Sequence, residues 1–364
     1  MTNSPRRTYL ITGGSGFIGS HLADALLARG DSVVVLDNLS TGRLANLSRH
    51  PRLRFVHGSV LDELMVDELV HQCDAVVHLA AAVGVKLIVE QPLRSLTTNI
   101  RGSEIVIGAA HRYRRKILIA STSEIYGKNS GGPLTETSDR ILGSPGVVRW
   151  AYSTAKAVDE ILANAYHRER GLPAIIVRLF NTVGPRQSPA YGMVIPRLVR
   201  QAISGLPLTV FGDGTQTRCF AHVLDVVAAL VRLLDHDDAV GQTFNVGCSD
   251  EVSILELAKL ITELTGSTSG IELIPYAEAY GTGFEDMERR VPDIAKIREL
   301  TGWSPVRTLD DILAETIAEA RPNWRTPGDE RFHPPHRHRQ RLSRRRGRDP
   351  RAAPGRAALG THRP

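Results

Sequence analysis

Residues 9–11, 32–36, 53–56, 75–79, 117–120 and 174–179 are short apolar runs rich in Val, Ile and Leu. Between them apolar residues recur every three or four positions, as they do along one face of a helix. Strands alternating with helices predict crossover units, a mostly parallel sheet covered on both faces, and hence a doubly wound α/β (Rossmann-like) fold. After Phe180 the texture changes. Gly184-Pro185, Gly205-Leu206-Pro207 and Gly212-Asp213-Gly214 break the chain into short pieces before helical spacing returns over 254–264 and 309–320. These pieces predict a smaller mixed α/β region capping the carboxyl edge of the sheet, where open α/β sheets bind ligands.

The first run leads into TGGSGFIG at 12–19, followed by helical spacing over 20–29. In such a turn the first glycine permits the tight bend, the second admits pyrophosphate to the backbone, and the third lets helix and strand pack closely. The helix N-terminus then offers free N–H groups and a partial positive charge to phosphate. Asp37 closes the next strand, where a carboxylate accepts from both ribose hydroxyls and repels a 2′-phosphate. The set predicts a site for NAD rather than NADP, built from Gly13, Gly16, Phe17, Ile18, Gly19, Asp37, Asn38, Ser40 and Gly42.

Tyr152 and Lys156 stand four apart at the start of a helical pattern, which puts them on one face. A phenol is a poor base at neutral pH. Lowering its pKa from about 10 to about 7 takes roughly 4 kcal/mol, which a neighbouring ammonium and a cationic nicotinamide can supply in a cleft of low dielectric. Tyr152 is then the group expected to exchange a proton with a hydroxyl while hydride moves to or from the cofactor.

With 42% hydrophobic residues in 364, the chain can bury a full core in one large or two intimate domains. The expected division is an NAD-binding domain over 1–180, rejoined by 222–247, and a second region over 181–221 and 248–320. The formal charge of +6 misleads, because residues 321–364 hold 13 Arg and no Lys against three acids and so leave the rest of the chain at −4. That body gives no electrostatic reason to bind nucleic acid. From 321 onward Pro, Arg, His and Gly dominate without apolar periodicity, so a disordered tail is expected, with His333, His336 and His338 solvated rather than metal-bound. Cys73, Cys219 and Cys248 are far apart and lack metal-ligand spacing, which suits reduced, mostly buried thiols of a cytoplasmic protein. No stretch reaches about eighteen apolar residues, and none near the N-terminus exceeds a strand, so neither secretion nor membrane spanning is expected.

TGGSGFIG, Asp37, HLAA at 78–81, Asn99, STSEIYG at 121–127 and YSTAK at 152–156 together resemble the extended short-chain dehydrogenase/reductases, over about residues 7–320. These are nucleotide-sugar epimerases, dehydratases and decarboxylases that use NAD. The resemblance implies that Thr122 hydrogen-bonds the reacting hydroxyl beside Tyr152, that Lys156 also holds the nicotinamide ribose, and that Leu79, Ala80, Ala81 and Asn99 belong to the cofactor site. Ser59 in HGSVLD stands where relatives usually place Asp to meet the adenine amine, with Val60 flanking the ring. Glu124, after Thr122 and Ser123 at a strand end, is the nearby acid able to act as a second proton-transfer group. Segments 180–186, 207–220 and 289–303 look like the family's nucleotide-diphosphate-sugar site. There Arg218 and Arg290 would pair with the diphosphate, which suits planar bidentate donors. Asn181 would meet a phosphate or uracil, Phe211 would pack on the base, and Ser123 would face the sugar. A homodimer through helices near 95–112 and 152–168 is implied as well.

Members of this group oxidise carbon 4 of the sugar first, and the substituent at carbon 5 decides the next step. TSEIYG, RLFNTVGPR, TQTRCF and RRVPDI resemble UDP-glucuronate decarboxylases more closely than galactose epimerases, which lack the acid after the catalytic Thr or Ser. The implied reaction takes UDP-glucuronate to UDP-xylose or UDP-4-keto-xylose. Because AVGVKLIVE at 82–90 departs from those decarboxylases, 4-epimerisation of UDP-glucose or UDP-glucuronate stays as the alternative. A sugar-nucleotide-binding protein without turnover, engaging an acidic partner through its basic tail, is the remaining one.

Overall fold

A computed structural model of the chain describes residues 6–84, 90–189, 193–280 and 287–321. The expectations for the tail from 322, its three histidines included, and for 85–89 within AVGVKLIVE fall outside the described residues.

Seven strands form the central sheet: β1 (Thr8–Thr12), β2 (Ser32–Asp37), β3 (Leu53–His57), β4 (Ala75–His78), β5 (Lys116–Thr122), β6 (Ala174–Leu179) and β7 (Thr243–Val246). Their order is β7-β6-β5-β4-β1-β2-β3, and every neighbouring pair is parallel. A strand buried on both faces has no polar side to show, which is why β2 reads Val33-Val34-Val35-Leu36 without alternation. The crossover helices are α1 (Phe17–Arg29), α2 (Glu63–His71), α3 (Pro92–Arg112), α4 (Ala151–Arg170) and, after α5 (Val194–Ile203), α6 (Val223–Asp235). Leu22, Leu26, Val226, Leu230 and Phe244 fill one face of the sheet. Val66, Val70, Val106, Ile107 and Ala163 fill the other.

A third core, outside the sheet, gathers Leu198 and Val199 of α5, Leu257 and Ile261 of α7 (Ile254–Thr265), and Ile312 and Leu313 of α9 (Leu309–Ala320), which follows the short α8 (Ala295–Thr301). Two of these helices begin at reciprocal capping boxes, Ser253 with Glu256 and Thr308 with Asp311. Short ladders stitch the region together: Leu208–Phe211 runs parallel to Ile271–Ile274, and Thr217–Cys219 runs antiparallel to Glu251–Ser253.

Observed strand bounds lie within one or two residues of those read from the apolar runs, but two elements differ. The first helix begins at Phe17, not at residue 20, because Gly16 sits in extended backbone as its N-cap and the helix starts inside the glycine turn. Strand β7 carries no long apolar run and includes Asn245, fully buried and satisfied by the Tyr126 hydroxyl at 2.6 Å and by the Leu134 carbonyl at 2.8 Å. Segment 222–247 thus supplies both α6 and the edge strand of the main sheet. The three cysteines are free and buried.

Candidate active site

The point where strand order reverses lies between β1 and β4, and the glycine turn sits there. A Cβ on Gly13 would come within 2.8 Å of the Ala80 backbone nitrogen, and one on Gly19 within 2.5 Å of the Gly13 carbonyl oxygen. The turn is therefore closed against both the Leu79-Ala80-Ala81 segment and its own helix. The first-turn amides of Phe17, Ile18 and Gly19 leave α1 with no acidic residue near them, a natural seat for phosphate. The Ser15 hydroxyl is wholly buried here without a hydrogen-bond partner.

Asp37 is already engaged. Its Oδ2 accepts from Ser15 N at 2.9 Å and its Oδ1 from Leu39 N at 2.8 Å, so the carboxylate braces the loop while each oxygen keeps a further lone pair. Asn38 caps Ser40 N at 3.1 Å, and Gly42 lies so close to Ser15 and Asp37 that no side chain fits. Gly58 N donates to the Asp37 carbonyl at 3.1 Å, which brings the Ser59-Val60 turn alongside; Ser59 Oγ there accepts from Leu61 N at 3.2 Å. Asn99 spends its side chain on the neighbouring loop, accepting from Ala82 N at 2.7 Å and donating to the Ala82 carbonyl at 3.2 Å. Glycine cradle, free helix amides, acid and orphan hydroxyl together fit a dinucleotide.

Strand β5 delivers Thr122, Ser123 and Glu124 to the same edge, where the Thr122 hydroxyl accepts from Glu124 N at 3.2 Å. Tyr152 and Lys156 project from the first turns of α4 and are buried. Glu124 meets three buried arginines. Arg149 donates to its Oε2 at 2.5 Å, Arg290 lies 3.8 Å from its Oε1, and Arg218 adds its charge from farther off. Burial alone would raise the Glu124 carboxyl, but the charge and hydrogen bond of Arg149, with Arg290 and Arg218 behind, hold it below the ordinary glutamate range. Arg290 also donates to Asn181, whose amide in turn donates to the Cys219 carbonyl at 2.9 Å. Arg218 is fixed by the Thr217 carbonyl at 2.8 Å. The Phe211 ring centroid lies 4.3 Å from the Arg197 guanidinium, and its carbonyl accepts from Gln216 at 2.8 Å.

Two groups escaped the reading of the sequence. Arg149, one turn before Tyr152, is the nearest cation to Glu124. Asp159 takes the Lys156 ammonium at 2.9 Å. The expected lowering of the Tyr152 phenol is not supplied by the chain: burial pushes it well above its ordinary value, Glu124 and Asp159 push the same way, and Arg149 and Arg290 oppose. Asp159 offsets the Lys156 charge.

The model of the NAD dependent epimerase/dehydratase family matches residues 9–247. The chain belongs to this family. It is similar to the UDP-N-acetyl-alpha-D-glucosaminuronate decarboxylase of Bacillus cytotoxicus, with 41% identity over 86% of this chain and 97% of that protein. It is also 37% identical to UDP-glucuronic acid decarboxylase 2 of Arabidopsis thaliana, over 86% of this chain and 68% of the relative. Among solved structures it resembles the UDP-glucuronic acid 4-epimerase of Bacillus cereus, in complex with UDP-glucuronic acid and NAD, with a TM-score of 0.78, 29% identity, and coverage of 87% of this chain and all of that one. As a member of the family it is an enzyme, and NAD is its cofactor. Among the described residues no helix is long and apolar enough to cross a membrane, and no cluster of His, Cys, Asp or Glu could hold a metal.

Replacing Glu124 by Gln removes the buried carboxylate paired with Arg149 and is expected to cost about 3 kcal/mol at neutral pH. A carboxylate with a depressed folded pKa contributes fully above its unfolded value, about 4.3, and loses that contribution as pH falls through the folded value. Urea unfolding of wild type and Glu124→Gln should therefore show a stability gap that closes in acid; a gap independent of pH would contradict the ion cluster.

Proposed function

We propose that this enzyme decarboxylates a UDP-hexuronate through a 4-keto intermediate. The reading is carried by the ionised Glu124 held among Arg149, Arg218 and Arg290 beside Tyr152. Three guanidinium groups gathered at one place suit a substrate carrying both a diphosphate and a sugar carboxylate. The likeness to two decarboxylases of UDP-linked uronates supports it.

Glycines 13, 16 and 19 with Phe17 and Ile18 would hold the pyrophosphate of NAD; Asp37 with Asn38, Ser40 and Gly42 the adenine-side ribose; Ser59 and Val60 the adenine; and Leu79, Ala80, Ala81, Asn99, Tyr152 and Lys156 the nicotinamide half. Bound NAD supplies the acceptor for hydride from carbon 4 and a cationic ring close to the phenol. Tyr152 takes the carbon 4 hydroxyl proton, and Thr122 steadies that oxygen by hydrogen bond. The ketone then stands β to the carboxylate. The bond from carbon 5 to the carboxyl carbon breaks, its electron pair moves into an enolate, and carbon dioxide leaves. The Tyr152 hydroxyl, now protonated, donates a hydrogen bond to the enolate oxygen; a proton taken up at carbon 5 gives the UDP-4-keto-pentose, and return of hydride to carbon 4 with the Tyr152 proton to its oxygen would give the UDP-pentose. Glu124, held ionised, serves as a base or an electrostatic guide rather than an acid. Arg218, Arg290 and Asn181 would hold the diphosphate, Ser123 would face the sugar, and Phe211 would pack on the base. In this division of labour, residues 1–180 and 222–247 carry NAD, and 181–221 and 248–320 carry the nucleotide sugar.

We also propose a homodimer through α3 and α4, where Leu93 is 77% and Ile161 is 65% exposed, with Val158 beside it. Sedimentation should give twice the mass of one chain for wild type and that of one chain for Ile161→Glu; a monomeric wild type would refute the arrangement.

Mass spectra of the nucleotide formed from UDP-glucuronate and from UDP-N-acetylglucosaminuronate test the reaction. Loss of one carbon dioxide from at least one of them is expected, and Tyr152→Phe should slow that conversion by about a hundredfold or more. A converted product of unchanged mass would establish epimerisation instead.

A further inference from the structure

The Lys156 ammonium donates to Asp159 Oδ2 at 2.9 Å, and both side chains are sealed from solvent. They stand three apart on α4, a spacing at which helix neighbours meet, and Tyr152, Lys156 and Asp159 share one face. A buried ion pair adds little net stability, because desolvating two charges offsets most of their attraction. From α3 the Ser103 hydroxyl faces the same carboxylate. Ser103 meets His78 Nε2 at 3.0 Å, and His78 Nδ1 meets Thr12 Oγ1 at 2.8 Å. A line of buried polar groups thus runs from the end of β1, beside the glycine turn, to Lys156.

We propose that Asp159 is the positioning residue for Lys156: its carboxylate fixes the ammonium on the Tyr152 face of α4 and offsets its charge. This rests on the reading of Tyr152 and Lys156 as the catalytic pair. The groups facing Tyr152 are Glu124 from the turn after β5, Arg149 from the turn before α4, Arg290, and Asp159 on α4 itself. Those facing Asp159 are Lys156 and Glu160 on α4 and Ser103 on α3. Behind Ser103, His78 stays neutral, its pKa lowered to about 3 by burial and then by the Lys156 charge. Removing the Asp159 charge takes away an anion that opposes phenol ionisation and leaves the Lys156 cation uncompensated. Both changes favour phenolate.

Asp159→Asn, which keeps the shape and loses the charge, tests this. Its kcat should fall about ten- to a hundredfold as Lys156 loses its anchor. The acidic limb of its kcat–pH profile should move down by about one pH unit. Asp159→Glu restores the charge and should return the limb toward wild type, and it carries the test if the Asn variant folds poorly, which melting temperatures will reveal. An unchanged kcat in Asp159→Asn, a fall with the limb unmoved, or an Asp159→Glu limb no closer to wild type than that of Asn overturns the assignment. Wild-type turnover in the same assay reports on the Tyr152–Lys156 reading, whereas the variant-to-wild-type ratio reports on Asp159, so the two fail separately.

Discussion

Helix α4 buries Lys156, Asp159 and Glu160, none more than 5% exposed, and charges taken out of water must find partners or cost several kcal/mol each. Lys156 and Asp159 match one another. Glu160 accepts both arms of Arg178, at 2.9 and 2.8 Å, and the Ser121 hydroxyl at 2.5 Å, which ties the helix to β6 and β5 together. The orientation of α4 about its axis follows from these pairings. Because Tyr152 lies on the same helix two turns before Glu160, charge matching in the core sets where the phenol stands at the sheet edge.

At the start of that helix the same constraint produces chemistry. Glu124 is driven toward its charged form by Arg149, Arg290 and Arg218, while burial, Glu124 and Asp159 drive the Tyr152 phenol toward its neutral form. Neighbouring groups pushed in opposite senses take different roles at one pH. The carboxylate is favoured as an anion and the phenol in its neutral form.

Much of this was legible in the chain. Unalternating apolar runs declared a doubly covered parallel sheet, and the glycine turn with Asp37 at the end of β2 pointed to NAD as the cofactor. Both are local patterns, fixed by backbone geometry within some thirty positions. What stayed hidden were pairings that only the crossover topology brings about. Arg149 sits among Val147, Val148 and Trp150, with nothing nearby in sequence to announce Glu124 as its partner. Asp159 reads as ordinary helix surface beside Glu160 until both prove buried. The amide groups of Ser15 and Leu39 on Asp37, and of Ala82 on Asn99, show why a motif residue can brace a loop as well as meet a ligand. Strand β7 was not apparent because a buried Asn at its centre interrupts the apolar signal that its neighbours carry.

In the proposed reaction carbon 4 of the sugar gives up hydride to the nicotinamide before carbon dioxide leaves. This step is tested most directly by mixing NAD-loaded enzyme with a UDP-hexuronate carrying deuterium at carbon 4 and following reduced-nicotinamide absorbance in a single turnover. An absorbance rise is expected, distinctly slower for the deuterated sugar than for the unlabelled one. Product forming with no such rise, or at a rate indifferent to the label, would contradict it.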